Sequence, residues 1–179
     1  MSGIFAIVGP SGVGKDSLMR AAAQRLPGLH LVRRVITRDP DAGGEDFDAV
    51  SREEFQRLHA AGAFALDWEA HGLRYGIPAE VTRRLARGET VLFNGSRAML
   101  GQAAQVFPAL RVIHVTARPE VLAARLAARG RETPAEISAR LERARLALPA
   151  GLDVVEIDNS GALETATDAL VALLHPASV

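Results

Sequence analysis

Nine residues near the N-terminus, Gly9-Pro10-Ser11-Gly12-Val13-Gly14-Lys15-Asp16-Ser17, have the spacing of an anion cradle. The glycines let the backbone bend so that successive N–H groups face one anion. A following helix start adds its partial positive charge. Lys15 is placed to reach the β- and γ-phosphates of a nucleoside triphosphate. The loop follows the apolar run Ile4-Phe5-Ala6-Ile7-Val8 and precedes a run of helical character beginning at Leu18. Strand, glycine-rich turn and helix together are the context that turns such a pattern into a phosphate site.

The residue after the lysine in such loops is usually Ser or Thr, whose hydroxyl helps hold Mg²⁺. Here it is Asp16, and the hydroxyl falls at Ser17. Either side chain suits a hard cation, and Asp16 equally suits a helix N-terminus on charge grounds alone. A second set of candidates is Arg129, Arg131 and Arg140, which flank a break between two helical stretches. Arginines on a mobile segment suit a lid that closes over transferring phosphates. A solvated pair of arginine-rich helices is the alternative. Arg38 and Tyr75 are suited to an anionic acceptor, though Tyr75 fits a cross-strand packing role nearly as well. Arg118 and Arg125 read as helix surface, Trp68 and Phe64 as core.

The composition narrows the classes. Lys plus Arg and Asp plus Glu are both 21, so no net charge calls for nucleic acid or an anionic membrane. Lys15 is the only lysine in the chain, which sets it apart from generic surface charge. Without a cysteine there are no disulfides, no thiolate metal sites and no cysteine catalysis. The chain enters a strand within a few residues and has no apolar run of membrane-spanning length, so a cytoplasmic protein is expected. At 179 residues, 48% of them apolar, one domain with a sizeable core is expected.

These groups must be held by an alternation of strands and helices. Leu29 to Val32 with Val35-Ile36 read as one short second strand, and Thr37 to Asp46 as a loop. Ser51-Arg52-Glu53-Glu54 and Thr133-Pro134-Ala135-Glu136 are capping boxes that start helices. Further strands are expected at Ala63 to Ala70, Leu73 to Gly76, Thr90 to Phe93, Arg111 to Val115 and Leu152 to Ile157, with a last helix over Leu163 to Leu174. The alternation predicts an α/β fold, a parallel sheet with helices on both faces. Ligands in such sheets lie beyond the carboxyl ends of the strands. The loop, Thr37-Arg38, Asn94 to Arg97 and Asn159 collect there. The segment from about 37 to 78 is expected to hold the acceptor, and about 128 to 146 to form the lid.

Along its whole length the chain resembles the guanylate-kinase-like branch of nucleoside-monophosphate kinases. The resemblance rests on Gly9 to Lys15, Thr37-Arg38-Asp39-Pro40, Val50 to Phe55, His71 to Gly76 and Arg125 through Arg145. It implies a P-loop NTPase fold. The chain departs from that branch where guanine is recognised: an expected acid falls at Leu66, an expected Asp is replaced within Asn94-Gly95-Ser96-Arg97, and an expected arginine is Asp41. Within the branch it is more similar to the ribose 1,5-bisphosphate phosphokinases of phosphonate breakdown. The shared residues include Gly-Lys-Asp-Ser-Leu at 14 to 18, Ile-Thr-Arg-Asp at 36 to 39, Asn-Gly-Ser-Arg-Ala at 94 to 98 and Arg-Gly-Arg-Glu at 129 to 132.

That similarity implies phosphoryl transfer from ATP, with Mg²⁺, to the 1-phosphate of ribose 1,5-bisphosphate, giving 5-phosphoribosyl 1-diphosphate. The loop pattern makes Gly9 through Ser17 the expected ATP contacts, and its strand-end position adds Asn159. On the chemistry of their groups, Arg38, Tyr75 and Arg97 are expected to hold the acceptor's phosphates, with Asn94 and Ser96 near the ribose. The alternatives are another small-molecule or nucleoside-monophosphate kinase, and a non-catalytic interaction module. The intact loop and its lysine speak against the module.

Overall fold

The computed structural model describes residues 3–175. Five strands, β1 (Gly3–Val8), β2 (Leu29–Leu31), β7 (Thr90–Asn94), β8 (Leu110–Thr116) and β9 (Asp153–Asp158), form one sheet in the order β2-β7-β1-β8-β9. Every pairing in it is parallel. A parallel sheet must be covered on both faces, and β1 shows how the sequence meets that demand. Ile4, Ala6 and Val8 enter one core with Phe93, Val112, Met99 and Leu100. Phe5 and Ile7 point the other way and pack with Leu18, Leu122, Leu126 and Leu170. Strand side chains alternate faces, so one apolar run supplies two cores.

The helices are α1 (Lys15–Arg25), α2 (Arg52–Ala60), α3 (Glu80–Ala86), α4 (Leu100–Val106), α5 (Pro119–Arg129), α6 (Pro134–Ala144) and α7 (Leu163–Leu174). Residues of α1, α5 and α7 fill the second core, and residues of α3 and α4 the first. The doubly covered α/β architecture is therefore as the alternation predicts.

The segment expected to be one second strand divides between two sheets. Strand β2 pairs with β7, whereas β3 (Arg34–Ile36) pairs antiparallel with β6 (Leu73–Pro78). With β4 (Phe47–Ala49) and β5 (Phe64–Ala70) these make a four-stranded mixed sheet in the order β4-β3-β6-β5. Periodicity registers extended chain but not which partner it takes, and three-residue strands are too short to show a period. The second sheet thus begins at Arg34, ahead of the loop at Thr37. Its inner side chains Leu66, Trp68 and Ile77 join the core of the first sheet.

Candidate active site

The glycine loop folds as its spacing requires. Gly14 is left-handed (φ 98°) and immediately precedes α1, whose start has no side-chain cap. A Cβ on Gly14 would lie 2.6 Å from Asn159 Nδ2, and one on Gly9 would lie 2.5 Å from the Val115 carbonyl oxygen. Only glycine fits either place. The uncapped helix start leaves backbone N–H groups for an anion.

The loop is held from behind. Asn159 Nδ2 donates to the Val13 carbonyl at 2.8 Å, and the Asn159 backbone N–H donates to Thr116 O at 2.7 Å. Arg125 donates to the same Val13 carbonyl at 3.3 Å and to the Asn159 carbonyl at 2.7 Å. Arg125 is therefore a brace of the phosphate loop and not the plain helix surface that its position in α5 suggested. Helical spacing locates a side chain on the helix but not the loop of a distant segment lying against it. Asn159 is buried beneath the loop, with Oδ1 unpartnered.

Lys15 curls over the loop and donates to Gly9 O at 2.7 Å and Pro10 O at 3.4 Å. Burial pushes its ammonium down to about 8; Asp16 and Glu45 oppose the shift and Arg34 adds to it. Asp16 accepts a long hydrogen bond, 3.4 Å, from Asn94 Nδ2 at the end of β7, while Ser17 is exposed. Asp16 also lines a cavity of about 190 Å³ with Met19, Arg20, Glu45 and Asp46.

A second, larger cavity of about 440 Å³ opens beside the second sheet and is lined by Thr37, Arg38, Asp39, Ala49, Ser51 and Arg52. The Arg38 guanidinium lies 4.2 Å over the Phe47 ring, and its Nε and Nη2 are buried with no hydrogen-bond partner. Tyr75 stacks on Trp68 with ring centres 5.3 Å apart and planes 9° apart, so both aromatic residues are built into the wall. Arg34, passed over in the sequence as part of a strand, is buried and sits 4.9 Å over the Tyr75 ring. Its signal was a charged residue leading a short apolar strand.

Ser96 Oγ is buried without a partner. Arg97 donates both Nη atoms to the Arg143 carbonyl at 3.3 Å, which ties it to the end of α6 instead of grouping it with Arg38 and Tyr75. Gly130 is left-handed at the C-terminus of α5, and Thr133 with Glu136 makes a full capping box at the start of α6. Arg129, the last residue of α5, and Arg131, in the connection to α6, are exposed and make no ion pair or side-chain hydrogen bond among the described residues. Arg140 is paired with Glu132 at 3.1 Å.

Comparisons with known proteins identify the relatives of this chain. The family described as an AAA domain matches residues 6–145. A ribose 1,5-bisphosphate phosphokinase PhnN from Ruegeria sp. (strain TM1040) is 62% identical over 165 residues, 91% of this chain and 86% of that one. Its namesake from Agrobacterium fabrum is 53% identical over 175 residues, 96% of each. Among solved structures, a guanylate kinase from Anaplasma phagocytophilum aligns with TM-score 0.69 at 20% identity, over 97% of this chain and 85% of that one. A sugar kinase from Janibacter sp. aligns with TM-score 0.58 at 15% identity, over 99% and 96%. These last two share the fold. By the identity and reach of its relatives, the chain belongs to the ribose 1,5-bisphosphate phosphokinases, within the AAA-domain family.

Proposed function

We infer that the protein transfers the γ-phosphoryl group of ATP to the 1-phosphate oxygen of ribose 1,5-bisphosphate, giving 5-phospho-α-D-ribosyl 1-diphosphate and ADP. An O–P bond forms at the acceptor as the bond from the β-phosphate bridging oxygen to Pγ breaks. The acceptor is already an anionic oxygen, so no general base is needed. The observation that carries the reading is Arg38, whose buried Nε and Nη2 have no hydrogen-bond partner and whose counter-charge, Glu45, is 3.8 Å away and shared with Arg34. Unpaired buried donors are costly and are satisfied by a phosphate.

In this reading Lys15 leaves the Gly9 and Pro10 carbonyls for the β- and γ-phosphates, and the backbone N–H groups from Ser11 through Ser17 cradle them. Asp16 carries a carboxylate with only one weak hydrogen bond, fit to hold Mg²⁺ together with Ser17. Bound there, the metal would neutralise phosphate charge. Asn159 serves ATP by fixing Val13. Arg38, in the loop after β3, and Tyr75, in β6, hold the acceptor, which makes residues 37 to 78 the acceptor-binding part. Asn94 and Ser96 offer an amide and a hydroxyl to the ribose, and Arg97 joins them on leaving Arg143. Arg129, Arg131 and Arg140 close from the segment 128 to 146 over the transferring group.

A base-binding reading has less support. Leu66 is buried in the core and the Asn94 amide is engaged with Asp16. Turnover of ribose 1,5-bisphosphate and of GMP at matched concentrations tests the reading. The bisphosphate is expected to be much the better acceptor. Faster turnover of GMP would overturn the assignment.

A further inference from the structure

The acceptor wall holds more cationic fork than its carboxylates can satisfy. Arg34 leads β3, is 6% exposed, and donates Nε to Glu45 Oε2 at 2.9 Å and Nη2 to Glu45 Oε1. Its Nη1 makes no hydrogen bond among the described residues. Arg38 lies 3.8 Å from the same carboxylate. Its Nε and Nη2, and Trp68 Nε1, are buried and make no hydrogen bond. One carboxylate therefore serves two guanidinium groups, and Lys15 stands close enough to feel the charges of both Arg34 and Glu45. A buried cation lacking its counter-charge is strongly unfavourable.

The missing partner has a definite chemistry. The buried atoms of Arg38 and Trp68 that make no hydrogen bond are all donors. A purine edge presents donors as well as acceptors, whereas a phosphate presents only acceptor oxygens and carries the compensating charge. The aromatic floor adds to this. Tyr75 and Trp68 lie nearly parallel and the Arg34 guanidinium stands 4.9 Å and 5.9 Å over their rings. Stacking covers a face of the guanidinium and leaves an edge for a ligand.

We propose that Arg34, seated on Tyr75 and joined to Arg38 through Glu45, takes the acceptor's second phosphate, the one that does not receive the transferred group. Glu45 is a positioning residue: it fixes the plane of Arg34 and touches no reacting atom. The proposal rests on the acceptor being a sugar bisphosphate, and it assigns the group that distinguishes two phosphates from one.

Trp68 is the only tryptophan in the chain, so its emission reports on the Arg34 seat directly. Inorganic phosphate is titrated into the parent protein, into Lys15→Ala, and into the double variant Arg34→Met with Glu45→Gln. The double variant removes one charge of each sign, and Arg34→Met alone, which leaves Glu45 to its other partner Arg38 at 3.8 Å, is measured beside it so that a loss caused by stripping Arg38 of its carboxylate is told apart. Trp68 emission is expected to respond saturably in the parent and in Lys15→Ala, and to stay flat in the double variant.

The same variant is assayed with ribose 1,5-bisphosphate and with ribose 1-phosphate. Losing a charged hydrogen-bonding partner should raise KM for the bisphosphate roughly 10- to 100-fold and leave the poor KM for ribose 1-phosphate unchanged. A variant that folds and keeps the parent's preference for the bisphosphate, or its phosphate response, overturns the seat. Equal losses with both acceptors also overturn it, because they place Arg34 on the accepting phosphate. If the parent protein ignores ribose 1,5-bisphosphate while Trp68 still reports phosphate through Arg34, the seat stands and the acceptor identity falls.

Discussion

Lys15 is held in its ligand-free state by two backbone carbonyls, with burial lowering its pKa to about 8. Triphosphate oxygens favour the charged ammonium, so binding ATP must raise that pKa. Between the free and bound values the complex holds a proton that the free protein lacks. ATP affinity should therefore be nearly independent of pH well below 8 and weaken as pH rises above it. Calorimetry at pH 8.5 in buffers of different ionisation enthalpy should show proton uptake on ATP binding, shrinking toward pH 6.5. The uptake should vanish in Lys15→Ala. Uptake that persists in that variant would assign the proton to another group. The stability consequence has a matching sign. The unfolded chain, with its lysine near 10.5, binds more protons than the folded one between about pH 8 and pH 10.5. This one group thus makes the ligand-free protein relatively more stable as pH rises through that window.

At the scale of elements, the phosphate loop keeps its shape through contacts from behind it. Val13 O accepts from Asn159 and from Arg125, and Gly14 leaves no room for a side chain against Asn159. Asn159→Ala should cost about 1–3 kcal/mol of stability, since a buried carbonyl loses its better donor. It should also weaken ATP binding although the side chain bonds only to protein. Denaturant unfolding and ATP titration check both, and an unchanged variant would show that Arg125 alone suffices.

Which elements could be read from the sequence follows from the same physics. The start of α6 was readable because Thr133 and Glu136 satisfy each other locally, and both bonds are formed. The glycine loop was readable because its geometry is set by its own residues. The brace from Arg125 and the burial of Arg34 depend on which distant segment packs against them, and no spacing rule carries that. The division between β2 and β3 was hidden for the same reason: extended chain looks alike in either sheet.

For the whole molecule, the α5–α6 pair is tied to the segment that follows β7 by Arg97, whose two Nη atoms donate to the Arg143 carbonyl. Arg140 is engaged with the largely buried Glu132, whereas Arg129 and Arg131 face solvent without partners. If they act from a closing lid, their partners arise mainly in the transition state. Arg129→Ala should then lower kcat by roughly 100-fold while KM for ATP stays near the parent value. Equal losses in both would argue for ground-state binding of ATP.

The central claim is that this phosphate loop and this arginine-lined wall join ATP to a sugar bisphosphate. It is tested most directly by following ATP, Mg²⁺ and ribose 1,5-bisphosphate with the protein by phosphorus NMR and mass analysis of the product. The account predicts stoichiometric ADP together with a diphosphate at the ribose 1-position and an untouched 5-phosphate. Hydrolysis of ATP without a new sugar diphosphate, or transfer to any other position of the sugar, would contradict it.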